Sequence, residues 1–134
     1  MPTEKLFTYH KIISLEEIGN RVLFWRKKSH KMVFTNGCFD LLHSGHVRYL
    51  QTAASFGDIL ILGLNSDSSV KKLKGPHRPI TNQDDRAYLL SAIEAIDCIV
   101  IFEEETPKRL IQIVNPDVLV KGGDYLPEDV IGHD

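Results

Sequence analysis

Apolar residues along the chain fall into two patterns: short unbroken runs, and longer stretches in which they recur every three or four positions. The unbroken runs are Met32-Val33-Phe34, Ile59 to Leu64, Cys98 to Phe102 and Val118-Leu119-Val120. Runs of that length, without alternation, read as strands covered on both faces, the habit of parallel sheets. Between them the spacing turns helical. Ile18, Val22 and Trp25 follow Ser14-Leu15-Glu16-Glu17, a capping-box sequence in which Ser14 accepts from the amide three residues on and Glu17 reaches back. This predicts a helix over residues 14–28.

Ser44 to Phe56 predicts a second helix, ended by Gly57 where a left-handed cap suits glycine. Asn65-Ser66-Asp67 closes a strand and caps a short helix over 67–73. Lys74-Gly75-Pro76-His77-Arg78-Pro79 can only be a loop. Thr81 or Asn82 opens a helix running to about Ile96, with Leu89, Leu90, Ile93 and Ile96 on one side. Thr106-Pro107 begins another, carrying Leu110, Ile111 and Val114 and stopping before Pro116. Strands alternating with helices predict an α/β fold of three layers, its sheet mainly parallel and its crossovers right-handed.

Composition narrows this to one domain. The 134 residues, 43% of them hydrophobic, suffice for one core and not for two. A net charge of −2 without a long basic run argues against a nucleic-acid surface. Cys38 and Cys98 have neither metal spacing nor a disulfide framework. The start, Met1-Pro2-Thr3-Glu4-Lys5, leads into no apolar signal segment, and no run reaches membrane-spanning length. A soluble cytoplasmic protein is expected.

The polar clusters follow strand ends: Asn36-Gly37, then Asn65-Ser66-Asp67, then Lys121-Gly122-Gly123-Asp124. Ligands of open α/β sheets bind outside the carboxyl ends of the strands, so these segments are expected to meet in one crevice. Within Thr35-Asn36-Gly37-Cys38-Phe39-Asp40-Leu41-Leu42-His43-Ser44-Gly45-His46, the two histidines share one face of a helix's first turn. The free amides and partial positive charge of that turn favour phosphate. Gly37 lets the backbone approach a ligand and Gly45 leaves room between the imidazoles. A His-x-x-His metal site lacks a third ligand at suitable spacing, so no metal-ligating set is expected. Polyphosphate binding and an ordinary structural role for the histidines both remain open on spacing alone.

Gly37-Cys38-Phe39-Asp40-Leu41-Leu42-His43-Ser44-Gly45-His46 resembles the G-x-F-D-x-x-H-x-G-H signature of the cytidylyltransferase-like nucleotidyltransferases. Within that superfamily the chain is most similar to the heptose 1-phosphate adenylyltransferases. The segments that carry this are Phe34 to Asp40, Leu64 to Asp67, Leu73-Lys74-Gly75 with Arg78-Pro79, Phe102 to Pro107, and Val120-Lys121-Gly122-Gly123-Asp124-Tyr125. The resemblance runs from about residue 10 to the last.

It implies a Rossmann-like nucleotidyltransferase fold and transfer of AMP from ATP, with Mg²⁺, to heptose 1-phosphate. His43 and His46 would be the catalytic imidazoles, with Lys74 reaching phosphate from a mobile loop. Asn36, Gly37, Cys38, Phe39 and Asp40 would form the loop beneath the phosphates, Asp40 orienting it. Arg86 would face the phosphate pocket; its bland alternative is a surface ion pair with Asp84 or Asp85. Gly122, Gly123 and Asp124 would wall the nucleobase and ribose, and Lys121 would bind the nucleotide beside them. Magnesium would ride on phosphate oxygens and water, without a carboxylate cage.

A glycerol-phosphate-type cytidylyltransferase, an FMN adenylyltransferase and a non-catalytic nucleotide-binding module are the alternatives. Family members continue past Ile131-Gly132 into a further strand and a helix with a Gly-x-Ser-Thr-Thr phosphate motif. The chain stops at Asp134 without an equivalent, as a truncated chain would, or one lacking part of the nucleotide site. A homodimer or higher homo-oligomer is expected from the family. Met1 close to a capped helix suggests a stand-alone enzyme, with its pathway kinase and phosphatase as separate proteins.

Overall fold

The computed structural model of the protein describes residues 11–121. Ten elements follow in order: β1 (Ile12–Ile13), α1 (Leu15–Lys27), β2 (Met32–Gly37), α2 (Ser44–Ala54), β3 (Ile59–Asn65), α3 (Asp67–Lys74), α4 (Gln83–Ser91), β4 (Cys98–Phe102), α5 (Lys108–Val114) and β5 (Val118–Leu119). Among the described residues the strands form one sheet in the order β1-β4-β3-β2-β5, every neighbouring pair parallel.

Alternation along the strands sorts the core into two layers. Val33, Leu60, Leu62, Leu64 and Ile99 point to the face covered by Leu50 and Ala53 of α2 and by Ala87 and Leu90 of α4. Met32, Phe34, Ile61, Cys98 and Val100 point to the other, beneath Ile18, Val22 and Trp25 of α1 and Leu110 and Val114 of α5. Because both faces are covered, the strands read as continuous apolar runs.

Four local readings change. β1 pairs with β4 through Ile12–Ile99 and Ile13–Val100 and has no sequence signature of its own. α4 ends at Ser91, five residues before Ile96. The chain then turns, with Ile93 N on Leu90 O at 3.0 Å and Ile96 N on Ile93 O at 3.1 Å, and still delivers Ile96 to the core. Leu89, expected on the buried side of that helix, is 51% exposed.

Gly57 is not a left-handed cap. Among the described residues the left-handed region holds Gly75, Ser29, Phe39 and Asn115. What position 57 requires is space, since a Cβ there would lie 2.7 Å from Val33 Cγ2 and 2.8 Å from Lys31 O.

The order of the strands places the site. Crossovers from β2 proceed through β3 to β4 on one side, and the chain then returns to lay β5 on the other side of β2. The order of strand addition therefore reverses beside β2, and the crevice outside its carboxyl end is where such sheets take ligands.

Candidate active site

That crevice is a cleft of about 550 Å³. One wall is the end of β2 and the turn after it, Asn36 to Leu41, continued by His43, Gly45, His46 and Tyr49 from α2. Lys74, the last residue of α3, and Arg78, from the connection between α3 and α4, also line the cleft.

The two histidines cap the helix they begin. His43 is its N-cap, and its Nδ1 accepts the amide of Gly45 at 3.0 Å. His46 Nδ1 accepts the amide of His43 at 3.2 Å, the reciprocal half of a capping box usually built from a hydroxyl and a carboxylate. A neutral imidazole that accepts at Nδ1 carries its proton on Nε2. Capping therefore fixes the tautomer, and both rings are left with an Nε2–H donor.

The rings lie 4.0 Å apart between centroids at 35°, and Phe39 meets His46 edge-on at 5.4 Å. Burial, and then the neighbouring His43, pull the His46 pKa below its usual value, which favours the neutral donor form. A Cβ on Gly45 would come within 2.8 Å of His43 Cε1, so the space expected between the imidazoles is used by His43 itself.

The turn before α2 is held by groups far away in sequence. Phe39 adopts φ of 48°, and its ring occupies space that a Cβ on Gly37 would enter at 2.7 Å. Gly37 thus admits the Phe39 ring. Asp40, 6% exposed, accepts Arg78 Nε at 2.6 Å, the amide of Ile80 at 2.9 Å and the amide of Thr81 at 2.8 Å. Burial alone would raise its pKa. The Thr81 and Ile80 amides and the Arg78 guanidinium outweigh that and hold the carboxyl below the usual range. Asp40 orients both loops.

Arg86 does not stand on the cleft wall. It is completely buried, with Nη1 on Cys38 O at 2.7 Å and Asn65 O at 2.8 Å, Nε on Thr81 O at 2.8 Å and Nη2 on Asp67 Oδ1 at 2.7 Å. Its carboxylate is Asp67, in place of the expected Asp84 or Asp85. The guanidinium ties the ends of β2 and β3 to the start of α4, and reaches a ligand only through the loop it holds. Its burial was invisible in the sequence because each partner except Thr81 lies 19 to 48 positions away.

Cys38 is half-buried and lines the cleft. Burial pushes its thiol up despite Lys74 and Arg86 nearby, so it offers a backbone rather than a nucleophile. Lys74 is exposed at the end of α3. Lys121 is exposed just beyond β5, next to β2 in the sheet; Gly122, Gly123 and Asp124 lie outside the described residues. Sequence reasoning missed Tyr49, whose hydroxyl hydrogen-bonds to Thr35 Oγ1 at the cleft, and Arg78. Helical spacing alone pointed to Tyr49, and Arg78 stood only within a segment of the resemblance, which gave it no role of its own.

Comparison with known proteins shows the family. Residues 34–130 match the family described as cytidylyltransferase-like. A bifunctional protein HldE of a Nitratiruptor species is 63% identical over 99% of the chain and 28% of its own length. One from Aliarcobacter butzleri is 61% identical over 92% of the chain and 26% of its own. The chain thus spans about a quarter of these relatives.

Among solved structures, a lipopolysaccharide core biosynthesis protein from Thermoplasma volcanium superposes with a TM-score of 0.65 at 28% identity. That match covers 72% of this chain and 77% of the other. The chain belongs to the cytidylyltransferase-like family of nucleotidyltransferases.

Proposed function

We propose that the chain transfers AMP from ATP to heptose 1-phosphate, releasing pyrophosphate and forming ADP-heptose. The observation that carries nucleotidyl transfer is the pair of adjacent imidazoles, each held with Nε2–H available at the start of α2. The sugar phosphate is supported by the resemblance through Lys121 to Tyr125. It is supported too by likeness to bifunctional HldE proteins and to a protein of lipopolysaccharide core biosynthesis.

In this reaction a phosphate oxygen of the acceptor attacks the α-phosphorus of ATP, and the bond to the β-phosphate oxygen breaks as pyrophosphate departs. The nucleophile is already anionic, so no protein base or covalent intermediate is needed. The chain has to align two anions and stabilise charge on the crowded α-phosphate. His43 and His46 would donate through Nε2 to the α-phosphate oxygens, and Lys74 would answer the departing pyrophosphate.

Asp40 is the one carboxylate lining the cleft among the described residues, and Arg78, Ile80 and Thr81 already occupy it. The site therefore fits a magnesium ion carried on phosphate oxygens and water, which would supply further neutralisation of the triphosphate.

Pyrophosphate release by the full-length protein from ATP and heptose 1-phosphate is the deciding measurement. Turnover is expected with ATP in preference to CTP. Folded protein that yields no product with any sugar phosphate overturns the reading, and preference for CTP reassigns the nucleotide.

A further inference from the structure

Arg78 stands on the cleft wall with no role in that alignment. Its Nε is spent on Asp40 Oδ2 at 2.6 Å, and the Asp40 carboxylate, only 3% exposed, is itself fixed by two amides. The guanidinium is thus held in place from behind. Its two terminal nitrogens make no hydrogen bond to the described residues, and the side chain remains 36% exposed at the cleft.

A planar fork held this way loses little freedom when it binds, and its two parallel N–H groups match two oxygens of one phosphate. Lys74, the other cation lining the cleft, is a flexible point charge on an exposed helix end. It suits a group that moves as it leaves. Two anions must meet in the cleft, and the acceptor has to arrive in line, opposite the departing pyrophosphate. A rigid bidentate fork suits the partner whose orientation decides the attack.

Resting on the proposed reaction, we infer that Arg78 is the clamp for the acceptor's phosphate monoester, aimed by Asp40, whereas Lys74 and the histidines serve the triphosphate. Acceptor specificity then has a physical basis: a monoester with two free terminal oxygens fills the fork, and a diester or a neutral hydroxyl acceptor does not.

The test uses full-length protein with Arg78→Ala and Arg78→Lys. Steady-state KM is measured for heptose 1-phosphate and for ATP, and calorimetric binding of each is measured separately. Loss of a bidentate charged contact is expected to raise the sugar-phosphate KM and dissociation constant by roughly tenfold to a hundredfold. ATP affinity should stay within about twofold, and lysine should recover part of the loss because it keeps charge without the fork.

If ATP affinity falls as much as sugar-phosphate affinity, or neither moves, the clamp assignment is overturned while the enzyme reading stands. If the wild type binds sugar phosphate through Arg78 yet forms no product, the clamp stands and the proposed reaction fails. A wild type that binds no sugar phosphate overturns both.

Discussion

At the scale of single residues, the proposed reaction gives the histidines two jobs with different atoms, and this makes them separable. Nδ1 caps α2 and Nε2 would face substrate, so a replacement that keeps an acceptor near Nδ1 and deletes Nε2 should uncouple stability from activity. His43→Asn is that replacement, because asparagine is among the best N-caps. Its thermal midpoint should stay within a few degrees of wild type, while kcat falls roughly a hundredfold to a thousandfold, the usual loss for one preorganised donor. His43→Ala should lose both. If His43→Asn retains wild-type turnover, the Nε2–H is not the working group, and the proposed mechanism loses its centre.

At the scale of elements, the sequence was legible wherever one segment carried its own reason. The apolar runs announced β2, β3 and β4. Ser14, Ser66 and Asn82 announced the starts of α1, α3 and α4, and each accepts the amide three positions on, Glu17, Ser69 and Asp85 in turn. It was not legible where the reason lay across the fold. β1 exists because β4 offers an edge; two residues cannot show a period. Only the family resemblance made Arg86 a ligand contact, and its buried acceptors, supplied by other segments, left no mark beside it in the sequence. In the site, spacing told that the two histidines share a face, as the adjacent rings bear out, while the orientation of Arg78 could not be read, since it depends on a carboxylate 38 positions earlier.

Gly57 shows the same division, and it can be tested. As a left-handed cap it would tolerate asparagine better than alanine. As a close-packing position it stands against the Lys31 carbonyl, which already accepts Asp58 N at 2.7 Å and Ile59 N at 3.1 Å, and Asp58 in turn accepts the Lys31 amide at 2.7 Å. A methyl group there presses on backbone that cannot swing aside. Gly57→Ala is expected to lower unfolding free energy by about 1–3 kcal/mol in urea titration, and Gly57→Asn by more. Asparagine at wild-type stability would restore the capping explanation.

At the scale of the whole molecule, acid should loosen the site before it loosens the sheet. The core offers little to titrate: Cys98, completely buried under α1, has its thiol pushed up to about 12 by burial and stays protonated throughout the acid range. The turn and helix start are different. Burial and His43 hold the folded pKa of His46 below the 6.5 of a free imidazole. On acidification the unfolded chain therefore takes that proton first, and stability that is complete above 6.5 declines from there down to the folded value. Protonation also consumes the Nδ1 lone pair that caps the His43 amide.

Asp40 follows in a lower window. Its folded pKa lies beneath the free value of 3.8, so its contribution is complete above 3.8 and is lost as pH drops through the folded value, when the carboxyl releases Arg78 and the 78–81 segment. Urea titrations from neutral pH down through the carboxylate range should thus show two separate declines. His46→Gln keeps an acceptor at the third helical position, where glutamine completes a capping box, and cannot titrate. It should erase the upper decline and leave the lower one. Asp40→Asn should start less stable at neutral pH and flatten the lower decline alone. An upper decline that survives His46→Gln would place the sensitivity elsewhere in the molecule, and would separate the cap from the acid response that the paired imidazoles are expected to impose.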